Sequence, residues 1–217
     1  MKDVKAMPPL NVPVPIKVWD VPTRVFHWLA VLSFSVAYLT AESERWRLVH
    51  VTFGYTLGAL LLFRLVWGVA GTRYARFASF VRGPSAVLRY MRSLLSGLPE
   101  HHIGHNPAGA VAIVLMVGLG LLQLVSGWAV YNEVGGEWLG ELHELSANTM
   151  LTVIAVHVAG VLSASYMHRE NLVRAMVTGR KIGLAAEGIR STWRLVGVLM
   201  VVAVLAFWFY QWQTAPL

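Results

Sequence analysis

The sequence predicts an all-α integral membrane protein in which a bundle of transmembrane helices makes up most of the chain. Three observations predict this class. Hydrophobic residues form 56% of the 217 positions and charged residues only 13%, with a mean hydropathy of +0.57. Five stretches are long and apolar enough for a membrane span of about 20 residues. The basic residues are concentrated in alternate connections between those stretches.

The five predicted spans are apolar runs separated by polar connections. They cover Val21–Ala41, Trp46–Ala70, Pro107–Tyr131, Leu142–Met167 and Trp193–Trp212. Asp20 is a favourable N-cap for the first of these helices. Within the long 71–106 connection, apolar and basic residues alternate at helical spacing from Pro84 to Leu98, which predicts an amphipathic helix on the membrane surface. The segment Asn171–Thr178 predicts a second short helix, with Gly179 as its C-cap.

The net charge of +7 is distributed as a membrane topology signal. Of the 18 basic residues, 15 lie near the start of the first span, in the 71–106 connection or after the fourth span. The connection between Tyr131 and Leu142 contains none. By the positive-inside rule, the N-terminus is predicted to be cytoplasmic and the C-terminus to lie outside. This distribution favours contact with the lipid bilayer and argues against a nucleic-acid partner.

Two histidines on the fourth span indicate where the chemistry lies. His143 and His157 are fourteen residues apart, so on one helix they lie within roughly 40° of each other and about 21 Å apart along the axis. One helix therefore presents two imidazoles on one face at two membrane depths. Ionisable side chains at membrane depth are rare and usually functional, and neutral imidazole is a common metal ligand.

Depth matching predicts a partner for each of these histidines. His27 reaches the depth of His157 in the inner half, and His50 reaches the depth of His143 near the outer face. Two imidazoles on facing helices can hold the iron of a b haem between them, whereas zinc usually requires three or four protein ligands. The sequence thus predicts two bis-histidine b haems, although any single membrane histidine can instead form a helix–helix hydrogen bond. The absence of cysteine excludes an iron–sulfur cluster or a thioether-linked haem built from this chain.

Two further residues are predicted to lie beside the haems. Gly54 follows His50 by one helical turn and would let a flat macrocycle approach the backbone, although close helix packing is an equal alternative. Arg64 follows His50 by fourteen residues and so reaches the depth of the inner haem. A haem propionate or a quinone oxygen would give this arginine a partner; extension to the interface is the alternative.

Several motifs resemble the prokaryotic cytochrome b561 family, which includes the cytochrome b subunits of nickel–iron hydrogenases. They are Val18-Trp19-Asp20, Arg24-Val25-Phe26-His27-Trp28, His50 with Gly54, Arg64, Trp67-Gly68, His105-Asn106-Pro107-Ala108-Gly109-Ala110, Ser126-Gly127-Trp128, His143, His157, His168-Arg169-Glu170-Asn171-Leu172-Val173 and Gly179-Arg180-Lys181. The resemblance covers roughly residues 16–181. It implies a four-helix core with two b haems in the bacterial inner membrane. We therefore divide the chain into a cytoplasmic segment 1–18, a di-haem domain 19–181, and a linker with a fifth helix over 182–217.

The resemblance also suggests transmembrane electron transfer between membrane quinone near the inner haem and a redox partner at the outer face. Candidate residues for the quinone site are Arg24, Arg64, His101, His102, His105 and Asn106. The three histidines among them could instead belong to a solvated polar connection. At the outer face, Glu133, Glu137, Glu141 and Glu144 could steer a basic c-type cytochrome. A plain solvated connection would show the same acidic pattern.

Two other function classes remain open at this point. The chain could be a membrane anchor that passes electrons from a peripheral enzyme, such as a hydrogenase, to quinone. Alternatively, its histidines could conduct protons or ions without haem. A homodimer is compatible with either class. No catalytic triad, phosphate loop or hydrolytic carboxylate pair is present in the sequence, so no catalytic residue is predicted.

Overall fold

The computed structural model describes residues 12–98 and 100–215. Within them, five long helices are α1 (Val21–Thr40), α2 (Arg47–Ala70), α5 (Pro107–Tyr131), α6 (Trp138–Met167) and α8 (Arg194–Thr214). The shorter helices are α3 (Phe77–Phe80), α4 (Pro84–Leu95) and α7 (Leu172–Thr178). Two strands, β1 (Val14–Lys17) and β2 (Arg180–Gly183), complete the elements that position the sites. Short 3₁₀ turns occupy Glu44–Trp46 and Ala185–Glu187.

Four of the five long helices pack as two antiparallel pairs. Helix α1 packs along α2, α5 packs along α6, and contacts between α2 and α5 join the two pairs. We call the end of the bundle that contains β1 and β2 the sheet end. The opposite end, formed by the connections 41–46 and 132–137, is the far end. These pairs place the histidines of four helices in one bundle.

Four helical segments are long and apolar enough to cross a membrane by length and composition. They are Glu44–Ala70, Pro107–Tyr131, Trp138–Met167 and Arg194–Thr214. This finding confirms the prediction of an all-helical membrane protein. Helix α1 has 20 residues but is not among the four, because polar residues such as Arg24 and His27 reduce its apolar character. Its crossing, and hence a total of five spans, stays a prediction.

A small antiparallel sheet at the sheet end was not predicted. Val14 lies opposite Gly183 and Lys17 opposite Arg180. The adjoining backbone continues this contact, since the Val18 amide donates to the carbonyl of Gly179 at 2.8 Å. Prolines make the β1 sequence look irregular, and they are tolerated in edge strands. Pairing between such distant segments is set by the folded bundle, so no local pattern indicates it.

Asp20 connects the start of α1 to the end of α2. It is fully buried and caps α1 by accepting from the Thr23 amide at 2.8 Å. Its other carboxylate oxygen accepts from Trp67 Nε1 at 3.0 Å and Thr72 Oγ1 at 2.7 Å. The predicted N-cap is therefore also a contact between two helices.

Helix α8 lies against the α1–α2 pair. Trp208 Nε1 donates to Thr56 Oγ1 on α2 at 2.9 Å, and the Val21 amide donates to the carbonyl of Thr192 at 2.9 Å. Gly197 permits close approach, because a side chain there would meet Val21. The remaining sides of α8 are largely exposed and apolar, as expected for a helix in contact with lipid.

Candidate metal centres

An apolar layer closes the middle of the four-helix core. Its buried residues are Phe34 on α1, Leu57 and Leu61 on α2, and Met150 on α6. Phe34 is seven residues from His27, Leu57 is seven from His50, and Met150 is seven from both His143 and His157. Seven helical residues span about 10 Å. The layer therefore separates two histidine levels, one towards each end of the bundle.

At the far-end level, the rings of His50 and His143 face each other across the bundle. Their centroids are 6.2 Å apart and their planes are inclined at 77°. A metal–imidazole nitrogen bond is about 2.0–2.1 Å long, so two imidazoles on one metal have centroids about 6 Å apart. The spacing of these two rings is suitable for one metal ion between them.

Hydrogen bonds orient both rings towards that position. His50 Nδ1 lies 2.8 Å from the carbonyl oxygen of Ala37, and a carbonyl can only accept, so Nδ1 carries the proton. His143 Nδ1 lies 3.1 Å from Ser126 Oγ. The Ser126 hydroxyl donates to the Leu122 carbonyl at 2.8 Å, so the histidine donates to the serine. In both rings Nε2 keeps its lone pair for a metal, the arrangement that metal-binding histidines usually show.

Replacing Ser126 with alanine should weaken the far-end centre without abolishing it. The variant removes the side-chain acceptor of His143, and loss of such a partner typically costs about 10–100-fold in metal affinity. We expect the metal centre at this level to be lost at lower denaturant concentration, while the sheet-end centre is unaffected. Thr149→Ala, which removes only a bond to the Leu145 carbonyl within α6, is the control. Equal resistance of both centres to denaturant would contradict the role of Ser126.

The surroundings of His50 and His143 fit a flat macrocycle. A Cβ placed on Gly54 would meet no described atom within 4 Å, so the α2 surface one turn from His50 is bare. On α5, a Cβ at Gly127 would come within 2.7 Å of His143 Cε1. The glycine there leaves room for the imidazole itself. No group of three or more His, Asp or Glu side chains among the described residues is placed to hold a metal ion. The imidazoles of His50 and His143 are the two donors found at this level.

At the sheet-end level, His27 on α1 and His157 on α6 lie close enough for a charge on one to act on the other. The Nδ1 atom of His27 is buried and has no hydrogen-bond partner among the described residues. The edge of the Trp28 ring packs against the imidazole, with centroids 4.9 Å apart. All four histidines are half-buried. Helix geometry thus brings the four predicted ligands to two levels of one bundle.

The chain matches a known protein family over most of its length. The sequence model of the family described as prokaryotic cytochrome b561 matches residues 18–179. The chain belongs to the prokaryotic cytochrome b561 family. Membership implies a b-type haem, for which the half-buried histidines and the bare surface at Gly54 are suitable. With its apolar helices, this member of the family is a multi-pass membrane protein of prokaryotic type.

The relatives of this cytochrome b561 family member carry related names. A probable Ni/Fe-hydrogenase B-type cytochrome subunit of Rhodobacter capsulatus is 22% identical over 214 residues, covering 76% of this chain and 81% of the relative. The subunit of the same name from Rhizobium leguminosarum bv. viciae is 22% identical, with coverage of 77% and 89%. The probable Ni/Fe-hydrogenase 1 B-type cytochrome subunit of Escherichia coli (strain K12) is 27% identical over 142 residues, covering 54% and 60%. No solved structure matches the sequence.

The sequence predicts that Arg24 and Arg64 lie near the inner haem. Their surroundings in the structure differ. Arg24 donates from Nη1 to the Val177 carbonyl at 2.6 Å, so it attaches α1 to the end of α7. Arg64 is only 3% exposed, and its guanidinium carbon lies 4.5 Å from the centroid of the Phe77 ring. Its Nη1 atom has no hydrogen-bond partner in the described part of the chain.

His105 lies between two aromatic rings at the sheet end. Its ring centroid is 4.5 Å from those of Trp19 and Phe80. Desolvation in this position, followed by the positive charge of Arg64, lowers the pKa of His105 to about 3, so the imidazole is neutral at physiological pH. Its buried Nδ1 has no partner among the described residues. Asn106, the next residue, caps α5 by accepting from the Gly109 amide at 2.7 Å.

The other polar residues of this end surround an ion pair that the sequence analysis did not assign. Lys181 Nζ lies 3.0 Å from Glu170 Oε2 and also donates to the His102 carbonyl at 3.1 Å. His101 Nε2 lies 3.9 Å from the same carboxylate oxygen. Burial lowers the pKa of His102. Glu170 and Lys181 belong to the segments that carry the family resemblance, but their pairing depends on β2 lying beside the 100–106 connection.

At the far end, the four glutamates of the 132–144 region are exposed. Arg47, the first residue of α2, places its guanidinium 5.7 Å from the centroid of the Tyr131 ring. A basic side chain therefore borders a region in which the sequence between Tyr131 and Leu142 shows only acidic charge. The 41–47 side of the far end carries charges of both signs, since Arg47 Nη1 lies 4.0 Å from Glu44 Oε2.

Proposed function

We propose that this chain carries electrons across the bacterial inner membrane through two b haems. His50 and His143 would hold the far-end haem, and His27 and His157 the sheet-end haem. The observation that carries the proposal is the far-end ring pair, with centroids 6.2 Å apart and both Nδ1 atoms bonded so that both Nε2 atoms can bind iron. Each haem, held by its two histidines, would supply a one-electron change in oxidation state.

The chain's own residues would fix the positions and surroundings of the two centres. Ala37 and Ser126 hold the far-end imidazoles in one orientation. The layer of Phe34, Leu57 and Met150 excludes water from the space between the levels. A low-dielectric, preorganised environment limits rearrangement when the charge of a centre changes.

We propose that membrane quinone reacts at the sheet end. Quinone reduction requires two protons as well as two electrons, and His101 and His102 lie in a polar connection there. By the positive-inside rule this end faces the cytoplasm, which gives a cytoplasmic N-terminus and a periplasmic C-terminus. Of the quinone-site candidates, Arg24 and Asn106 already make structural bonds, so His101 and His102 are the better candidates for proton transfer.

For the outer partner, we propose a peripheral redox enzyme for which the chain is the membrane anchor. The relatives named as Ni/Fe-hydrogenase B-type cytochrome subunits support this alternative over a soluble c-type cytochrome. The exposed acidic residues Glu133, Glu137 and Glu141 favour the c-type cytochrome as a second candidate. Arg47 beside Tyr131 makes the same surface less uniformly acidic.

The partner can be determined with tagged protein extracted gently from native membranes. We expect a large metalloenzyme to co-purify, and that enzyme's substrate, hydrogen for a hydrogenase, to reduce the haem bands of the complex. If the chain instead purifies alone and reacts with a basic c-type cytochrome, replacing the three glutamates by glutamine should slow that reaction at low salt. Purified, folded protein without any haem band would contradict electron transfer and favour the proton- or ion-conducting alternative.

A further inference from the structure

Two neighbouring side chains at the sheet end have unpartnered nitrogens. Arg64 Nη1 and His105 Nδ1 are buried and make no hydrogen bond to any described residue. The two side chains lie beside the same ring, since the Phe80 centroid is 5.9 Å from the Arg64 guanidinium carbon and 4.5 Å from the His105 ring centroid. Buried polar atoms normally have partners, and a buried charge without one is costly. The pair therefore presents donor groups to a ligand that carries acceptor atoms.

The local charges show what kind of ligand would be stabilised. Asp20 is the carboxylate that acts electrostatically on both Arg24 and Arg64. Its oxygens accept from Thr23, Trp67 and Thr72 rather than from either guanidinium. One negative charge thus faces two positive ones. Lys181 does not alter this balance of charge, because its ammonium group is paired with Glu170. Lys181 Nζ lies 3.0 Å from Glu170 Oε2.

The side chains that pack around Arg64 and His105 are largely apolar. Arg64 lies over Phe77, with Phe80 also close at 5.9 Å, and His105 lies between Trp19 and Phe80. In such surroundings a charge-assisted bond is stronger than in water. A neutral carbonyl oxygen could accept a hydrogen bond from Arg64 but would leave the excess positive charge uncompensated. A carboxylate would satisfy the hydrogen bond and the charge together.

We propose that Arg64 and His105 form a carboxylate site that binds a propionate of the sheet-end haem. This inference rests on the proposed function, because it requires a haem between His27 and His157. Arg64 is fourteen residues after His50 on α2, which places it about 21 Å from the far-end level. Arg64 and His105 are thus positioning residues for the haem, with Arg64 also raising its reduction potential.

The test is a spectroscopic redox titration of purified protein with both haems bound. Arg64→Gln removes a positive charge that disfavours the ferric state, so the potential of one haem should fall while the other stays unchanged. Arg64→Lys keeps the charge and should restore most of the shift. His105→Leu should also lower the potential of that haem, and His105→Gln, which retains a donor, should lower it less. Arg47→Gln, an exposed arginine at the far end, is the control that should leave the sheet-end potential unchanged.

The outcomes separate this inference from the proposed function. Selective loss of one haem from Arg64→Gln, with retention in Arg64→Lys, would also support it. Two haems with unchanged potentials in both Arg64 variants would overturn it. Unchanged potentials with a higher KM for quinol would overturn it in favour of a quinone oxygen as the ligand. Wild-type protein without haem would instead show that the proposed function fails.

Discussion

Replacing His143 with alanine is expected to remove one haem from the purified protein and leave the other in place. A bis-histidine centre depends on both axial ligands, and His143 is one ring of the far-end pair. His50→Ala should remove the same haem. His27→Ala and His157→Ala should each remove the sheet-end haem. The pyridine haemochrome assay gives the number of b haems per chain, and the reduced-minus-oxidised spectrum shows which component is lost.

Matched controls are available within the same chain. His101 and His168 lie at the sheet end with their ring centroids 5.6 Å apart, and neither is a proposed ligand. Alanine at either position should leave two haems per chain. The pairing would be wrong if the His50 and His143 variants lost different haems. The haem assignment itself would be wrong if a His101 or His168 variant lost a haem as readily as the four ligand variants.

The histidine levels could be predicted from sequence because helical geometry is regular. A fourteen-residue interval returns to nearly the same face of any α-helix, so His143 and His157 needed no tertiary information. The same regularity placed Arg64 at the sheet-end level. These predictions use only rise and twist, which the surrounding fold hardly changes.

The hydrogen-bond partners of the proposed ligands could not be predicted in this way. Ala37 accepts from His50 through its backbone carbonyl, and an alanine gives no sequence signal for such a role. Ser126 lies in a motif that carries the family resemblance, but its bond to His143 depends on how α5 and α6 pack together. The β1–β2 sheet depends likewise on distant segments meeting. Contacts between elements are set by packing, whereas positions along one helix are set by its period.

Asp20→Ala is expected to be the most destabilising substitution outside the proposed haem ligands. The carboxylate is 0% exposed and accepts from the Thr23 amide, Trp67 Nε1 and Thr72 Oγ1. Its removal leaves the α1 N-terminus uncapped and takes away the negative charge beside Arg24 and Arg64. Breaking a buried charge network by deleting one member typically costs about 3–5 kcal/mol. Thermal unfolding in detergent, followed by tryptophan fluorescence, measures the loss.

Two further variants separate the causes of that loss. Asn171→Ala removes an exposed N-cap that accepts only from the Arg174 amide at 2.7 Å, so it should cost about 1 kcal/mol. Asp20→Asn preserves the size of the side chain and one acceptor oxygen but removes the charge, so it should fall between the two alanine variants. If Asp20→Ala were no more destabilising than Asn171→Ala, the carboxylate would act only as a helix cap. A larger loss, partly recovered in Asp20→Asn, would show that the charge beside the two arginines stabilises the sheet end.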